Sequence, residues 1–324
     1  MAKDKHQAFK EDIVLECRNL NHWFGPKRVL FNINLKIIRG EIVSLVGPSG
    51  CGKSTLLRAI VGTHPPCEGD VMIKPRDSDT ARVVTRPGRD RGIVYQQYTL
   101  FPFLTARENV AVGLMLDQTS LPFRLFRFQS WRTMKKKHLD EADALLNTLK
   151  LGESVNQYPH EMSGGMRQRV AIAQALIMKP SVLLLDEPFG ALDEATREEL
   201  QKMLLTLYGE NTRARNEDRT PPYTILIVTH ELNEAIYVGD RVVALSQHWD
   251  HKDLGLSGHP GATVVYDCMS PVFRPSEAPD FELFRKQREM LRAVAFEARH
   301  ITDPNEHVQF WQEYDAREGW AGNL

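Results

Sequence analysis

The sequence predicts an α/β fold with a largely parallel sheet. Three short apolar runs have the length and composition of buried strands: Ile42–Val46, Val182–Leu185 and Ile225–Val228. Each run ends in a glycine-rich or acidic turn, and helical stretches separate the runs along the chain. Strands that alternate with helices in this way are typical of folds in which helices cover a parallel sheet.

Composition excludes several classes of protein. The chain has 324 residues, of which 42% are hydrophobic, enough to fill a core. Its 41 basic and 42 acidic side chains nearly cancel, whereas proteins that bind nucleic-acid backbones are usually basic, so we expect no nucleic-acid partner.

Four widely spaced cysteines without a CxxC pair indicate that the cysteines are reduced, as in cytosolic proteins. The polar start resembles no signal peptide, and every apolar run is far shorter than the about 20 residues that span a bilayer.

The first predicted strand leads into a phosphate-binding loop. The pattern G-x-x-x-x-G-K-[ST] is matched by Gly47-Pro48-Ser49-Gly50-Cys51-Gly52-Lys53-Ser54, which Thr55 follows. Glycines let successive backbone N–H groups converge on phosphates, and the positive end of the following helix points at the same oxygens. Lys53 is expected to reach the β- and γ-phosphates, and the hydroxyl of Ser54 to bind Mg²⁺. The motif predicts a P-loop NTPase core that binds a nucleoside triphosphate.

The second predicted strand ends in a pair of acids. Val182–Leu185 delivers Asp186 and Glu187 to the carboxyl edge of the sheet, where ligands bind in open parallel sheets. Adjacent carboxylates at a strand end point in different directions, so they can perform separate tasks. Asp186 is expected to hold Mg²⁺, and Glu187 to orient or deprotonate the attacking water.

A second anion site is predicted at Ser163-Gly164-Gly165-Met166-Arg167-Gln168. This segment opens a helix that runs to about Met178, before Pro180. A serine and two glycines at a helix start present N–H groups and the positive helix end to solvent. Because one nucleotide cannot occupy two such cradles in one chain, the second is expected to serve the nucleotide of a partner subunit. For the hexapeptide alone, an ordinary serine-capped helix is the alternative.

These motifs, in this order, resemble those of the ATP-binding subunits of ABC transporters over about residues 13–246, and more weakly to about 299. Three further segments carry the similarity: Gln96 in VYQQ, Ala191-Leu192-Asp193 as the D-loop, and His230 in VTHEL. The resemblance implies a RecA-like P-loop core, a helical subdomain at about 104–165 and an antiparallel β region near the N-terminus. It implies an ATP-binding domain at 11–246 and a C-terminal extension at 247–324, in which we expect one helix at about 280–299.

The resemblance also implies residue roles. Gln96 would sense both Mg²⁺ and the transmembrane partner, and His230 would contact the γ-phosphate. Phe24 in HWFG matches the aromatic residue that stacks on adenine, with Trp23 as the alternative. The surface that acts in trans, on the ATP of the opposite subunit, would comprise Ser163, Gly164, Gly165 and Asp193.

Within that family, two stretches resemble the nitrate/sulfonate/taurine importers: PGRDRGIVYQ at 87–96, followed by LFPFLT, and MSGGMRQRVAIAQAL at 162–176. The implied partners are a second ATP-binding subunit, expected to be a second copy of this chain, two transmembrane permeases and a periplasmic or lipid-anchored solute-binding protein. The implied location is the cytoplasmic face of the inner membrane. The alternatives are a soluble ABC ATPase that acts on ribosomes or nucleic acid and an export or mechanical complex.

The segment at 209–222 and the tail beyond residue 300 depart from the pattern of these importers. The polar run GENTRARNEDRTPP at 209–222 is expected to be an exposed loop. The segment LPFRLFRFQSWR at 121–132 interleaves aromatic residues with arginines and contains no acid. Such a segment can lie on a membrane surface, cover loops of a membrane partner or pack into its own subdomain.

Overall fold

The computed structural model describes residues 12–97, 99–120, 126–251, 260–270, 281–297, 303 and 306–311. It begins with an antiparallel sheet. Strands β1 (Ile13–Phe24), β2 (Lys27–Ile38), β4 (Glu68–Ile73) and β5 (Arg82–Val83) follow the order β2-β1-β4-β5. All three pairings in this sheet are antiparallel, as expected near the N-terminus.

The central sheet confirms the predicted α/β fold. Its described strands are β3 (Ile42–Val46), β6 (Arg91–Val94), β7 (Val182–Asp186), β8 (Ile225–Val228), β9 (Arg241–Ser246) and β10 (Thr263–Met269). They follow the order β10-β9-β3-β8-β7-β6, with every pairing parallel except that of β10 with β9. All three strands predicted from apolar runs are present in this sheet, and their carboxyl ends meet at one edge.

Seven α-helices lie within the described residues. They are α1 (Lys53–Val61), α2 (Ala106–Gln118), α3 (Phe128–Thr148), α4 (Gly164–Leu176), α5 (Glu194–Asn216), α6 (Leu232–Val238) and α7 (Phe281–Leu291). Helices α2 and α3, with two short 3₁₀ turns before α4, form the predominantly helical region predicted between the Gln96 loop and Ser163. None of the helices in the described ranges is long and apolar enough to cross a membrane.

The core lies on both faces of the central sheet. Successive side chains of a strand point to opposite faces, so the near-continuous apolar runs fill two cores at once. Leu183 and Leu185 pack with the helices of the predominantly helical region. Leu184 packs on the other face, with α1 and the antiparallel sheet. This arrangement fixes the carboxyl edge, where the loops after β3, β6, β7 and β8 emerge.

The predicted loop at 209–222 is wrong for residues 209–216, which continue α5. Asn211 is fully buried in that helix and donates hydrogen bonds to the carbonyl oxygens of Gly40 and Tyr223. A buried asparagine breaks the apolar periodicity by which the helix would be recognised, although it ties α5 to the sheet.

The C-terminal region packs against the central sheet. Strand β10 pairs with β9, and the backbone of Gln309 donates to the carbonyl of Asp267. The expected helix at 280–299 is observed as α7 followed by a π-helix at Arg292–Phe296. Phe281 at the start of α7 is 74% exposed, whereas Leu291 and Val294 are buried.

Candidate ATP-binding and catalytic site

The phosphate-binding loop lies between the carboxyl end of β3 and the start of α1. Gly50 and Gly52 have φ angles of 79° and 105°, in the left-handed region that favours glycine. Gly52 is also the N-cap of α1 and offers no side chain to the first N–H groups of the helix. These groups therefore face the loop, and the cradle fits the phosphates of a nucleotide.

The lysine of the loop is held against the loop itself. Lys53 is buried, and its Nζ donates to the carbonyl oxygens of Gly47 at 2.7 Å and Pro48 at 3.1 Å. Next to it, Ser54 is exposed and Thr55 half-buried at the first turn of α1. The loop and the first turn of α1 thus bring together the cation of Lys53, the hydroxyls of Ser54 and Thr55 and the first N–H groups of the helix.

Cys51 is the only cysteine of the loop, and its surroundings make it unreactive. The side chain is 2% exposed, and burial raises the pKa of the thiol. Because the thiolate is the nucleophilic form, a raised pKa keeps Cys51 protonated and inert. This geometry favours a packing role for the residue.

The paired acids follow β7 as predicted, and their environments differ. Asp186 ends the strand and is half-buried. Burial and the neighbouring Glu187 carboxylate raise the pKa of Asp186, partly opposed by Lys53 and Arg58. A nearby divalent cation would favour the charged form of a carboxyl group whose pKa is raised. The carboxylate oxygens of Asp186, beside Lys53 of the loop, therefore fit a Mg²⁺ site.

Glu187 adopts an unusual backbone conformation. Its φ angle is 47°, a left-handed value that is rare outside glycine, and its N–H donates to the carbonyl of Val228 at the end of β8. Strain of this kind is concentrated at functional sites. The conformation brings Oε1 of Glu187 to 3.2 Å from Nδ1 of His230.

Gln96 reaches the same place from the loop after β6. A Cβ built at Gly190 would lie 3.2 Å from Nε2 of Gln96 and 3.7 Å from Oε2 of Glu187, so both side chains flank Gly190. The structure therefore brings together three residues that come from three separate loops: Gln96, Glu187 and His230. A carboxylate with an amide and an imidazole beside it can orient water and accept its proton.

Sequence reasoning missed the support beneath His230. The hydroxyl of Thr229 donates to Oε2 of Glu234 at 2.8 Å and accepts from the backbone N–H of Glu231. Arg197 lies 3.4 Å from the other oxygen of Glu234. These contacts fix the turn that carries His230. In the sequence, these contacts are signalled only by Glu234, an acidic residue four positions after His230 in the first turn of α6.

The second cradle lies at the start of α4. Ser163 is exposed, is the N-cap of the helix and accepts a hydrogen bond from the N–H of Met166 at 3.2 Å. Gly165 is in close contact with α5, since a Cβ there would lie 1.9 Å from Cγ2 of Thr196. Thr196 in turn donates to Asp193, the N-cap of α5, through both its N–H and its hydroxyl. Thr196 therefore joins the start of α4 to the start of α5, which brings the predicted trans residues close together.

The aromatic candidates at the end of β1 differ in exposure. Phe24 is 48% exposed and meets His22 edge to face, with ring centroids 4.8 Å apart. The ring of Trp23 is covered by the guanidinium of Arg28 at 4.8 Å. Of the two, Phe24 offers the ring on which a base can stack.

Comparison with known proteins places these motifs in context. The sequence model of the ABC transporter family matches residues 30–190. The sulfate/thiosulfate import ATP-binding protein of Pectobacterium atrosepticum is 41% identical over 286 residues, 87% of this chain and 80% of that protein. The nitrate import ATP-binding protein of Synechocystis is 41% identical over 236 residues, 72% of this chain and 77% of that protein. The aliphatic sulfonates import ATP-binding protein of Bacillus subtilis is 42% identical over 217 residues, 67% of this chain and 72% of that protein.

A solved structure shares both fold and sequence. A dimeric ATP-binding cassette in a post-hydrolysis state, bound to ADP and Pi, superimposes with a TM-score of 0.55 at 29% identity. The match covers 80% of this chain and all of that one.

Proposed function

This chain belongs to the ATP-binding subunits of ABC transporters, and on that premise we propose that two copies of it enclose ATP between them and power the import of a small anion. The family binds and hydrolyses ATP to drive transport. The observation that carries the proposal is the meeting of Gln96, Glu187 and His230 at the sheet edge that also carries the phosphate-binding loop. The same edge therefore carries a loop that can bind phosphate and a carboxylate that can accept a proton from water.

In this proposal the loop Gly47–Thr55 binds the phosphates and Phe24 stacks on adenine. Lys53 balances the charge of the β- and γ-phosphates. Ser54, Asp186 and Gln96 would hold Mg²⁺, which, when bound, neutralises negative charge that develops on the phosphoryl oxygens. The raised pKa of Asp186 supports this assignment, because a nearby divalent cation would restore its charged form.

Glu187 is the proposed base for the attacking water. The left-handed backbone of Glu187 and the hydrogen bond from its N–H to Val228 turn its side chain away from the direction of β7. His230, at 3.2 Å, would limit the rotation of Glu187 and present its other nitrogen towards the γ-phosphate. Positioning of this kind supplies much of the rate enhancement in phosphoryl transfer.

The proposed site is completed in trans. Ser163, Gly164 and Gly165 would present their helix start to the γ-phosphate held by the other copy. Asp193 would act in the same surface, since Thr196 links its carboxylate to Gly165. Hydrolysis would then require two chains, and we propose that both are copies of this one.

The proposed solute is a small anion. The named relatives import sulfate, thiosulfate, aliphatic sulfonates or nitrate, all of which are anions. This subunit would work at the cytoplasmic face of the membrane with two permeases and a solute-binding protein. The experiment is co-purification of the chain with its membrane subunits, followed by ATP-driven uptake into proteoliposomes. Uptake of sulfate, nitrate or a sulfonate is expected; co-purification with ribosomes or nucleic acid instead would overturn the proposal.

A further inference from the structure

The N-terminal half of α3 buries none of its described side chains fully. Buried side chains on this helix begin at His138 and continue at Ala142 and Leu146. None of the side chains described between 128 and 137 is buried. At 1.5 Å per residue, these ten positions extend the helix by about 15 Å. The side chains of Arg132, Thr133, Lys136 and Lys137 are exposed and lie on one side of the helix, which leaves that side open to a partner.

This part of the chain, residues 126–137, is strongly basic and is called the basic arm here. No acid occurs between Asp117 and Asp140 in the sequence. The cations of the arm are Arg127, Arg132, Lys135, Lys136 and Lys137. Lys137 lies 4.0 Å from Glu141, whereas the other four form no ion pair with any residue that the structure describes. In a chain with net charge −1, this is a local concentration of unbalanced positive charge.

Aromatic side chains accompany these charges. Phe126 is 87% exposed at the start of the arm. Trp131 and Met134 are half-buried and share a helix face with His138, at spacings of three and four residues. The ammonium of Lys135 lies 5.6 Å from the centre of the Trp131 ring. The half-buried face of the arm thus carries Trp131 and Met134, and its exposed face carries cations.

We propose that the basic arm binds the anionic headgroup surface of a phospholipid bilayer. An exposed ring such as that of Phe126 can enter the boundary between headgroups and acyl chains, while ammonium and guanidinium groups stay at the phosphates. Arg132, Lys136 and Lys137 lie on the exposed side of the arm, and several cations spread over one face suit a fluid layer of many anionic groups. Binding of the arm to lipid is independent of the solute and of the site shared between two copies.

The test is binding of the full-length protein to phosphatidylcholine vesicles with and without phosphatidylglycerol. Each basic residue near an anionic surface strengthens binding about fivefold, so Arg132→Gln, Lys135→Gln and Lys136→Gln together are expected to weaken it about a hundredfold. The matched control changes to glutamine three exposed cations elsewhere that also form no ion pair with a described residue: Arg86, Lys150 and Arg213. Added salt is expected to weaken binding of the parent.

Phe126→Ser is the second variant, since a side chain 87% exposed contributes little to folding. It is expected to lower vesicle affinity about tenfold without changing the circular dichroism spectrum or the ATPase activity of the protein in solution. Equal binding to neutral and anionic vesicles would overturn the proposal, as would unchanged affinity in both arm variants. Loss of permease binding in the arm variants, with vesicle binding intact, would assign the arm to a protein partner instead.

Discussion

Nδ1 of His230 lies 3.2 Å from Oε1 of Glu187, although the two residues follow different strands of the central sheet. The contact depends on the left-handed backbone of Glu187 and on its N–H bond to Val228. It orients a carboxylate at the edge that carries the phosphate-binding loop. The roles proposed for Glu187 and Lys53 therefore predict different mutant phenotypes.

Glu187→Gln keeps the shape of the side chain but removes the base, so we expect ATP hydrolysis to fall by about 10²–10⁴ with ATP still bound. Lys53→Ala removes a cation from the phosphates and is expected to weaken ATP binding itself. Nucleotide titration and phosphate release measure the two effects, with Glu198→Gln on the surface of α5 as the matched control. An equal loss of ATP affinity in both site variants would refute the assigned roles.

Because Gly165 packs closely against Thr196, we predict that Thr196→Ser compensates for the loss of activity in Gly165→Ala. Gly165→Ala places a Cβ 1.9 Å from the Thr196 methyl group, so α4 or α5 must shift and hydrolysis is expected to fall. Thr196→Ser removes that methyl group but keeps the hydroxyl that bonds Asp193. Recovery of hydrolysis in the double variant is the expected result. A double variant no more active than Gly165→Ala would contradict this account.

Asp240 predicts a pH-dependent stability. Its carboxyl accepts from the backbone N–H of Ile42, and burial raises its pKa from 3.8 to about 8, with Glu41 adding to the effect and Arg215 opposing it. Between these values the folded protein binds more protons than the unfolded chain, so the free energy of unfolding falls as pH rises from about 4 to about 8. The slope is at most about 1.4 kcal/mol per pH unit.

Asp240→Asn keeps the acceptor and removes the ionisation. We expect its stability advantage over the parent to grow between pH 4 and pH 8 and then to level off, as measured by urea unfolding at a series of pH values. A constant difference between the two proteins over that range would show that Asp240 ionises normally in the folded state.

Phe310 joins the C-terminal segment to the core. Its ring is fully buried, and the guanidinium of Arg241 lies 3.7 Å from the ring centre. Phe310→Ala is expected to lower the free energy of unfolding by about 3–5 kcal/mol. Phe281→Ala, at a ring 74% exposed, is the control and should change little. Equal stability of both variants would show that the segment does not dock on its own domain in solution.

Much of the fold could be predicted from patterns formed by residues that are neighbours in the sequence. The apolar runs predicted β3, β7 and β8 because strands buried on both faces are apolar at nearly every position. The glycine spacing located the phosphate-binding loop, and the serine before Gly164 located the start of α4. These features depend on neighbours in sequence, so a single sequence contains them.

Long-range pairings were not predictable. Arg241 and Asp267 form a buried, doubly hydrogen-bonded pair, yet nothing within either strand indicates the other. The end of α5 was missed because polar Asn211 is buried there by its bonds to distant carbonyls. Similarly, the support of His230 depends on Arg197, which comes from a different helix.

The central claim is that ATP is hydrolysed in a site shared by two copies of this chain. Its most direct test is the mass in solution of Glu187→Gln protein with ATP, measured by sedimentation. We expect a dimer with ATP, a monomer without it, and a monomer in both conditions when Ser163→Arg adds bulk and charge to the exposed cradle. Hydrolysis by the parent protein that is independent of protein concentration, in a species that remains monomeric, would contradict the claim.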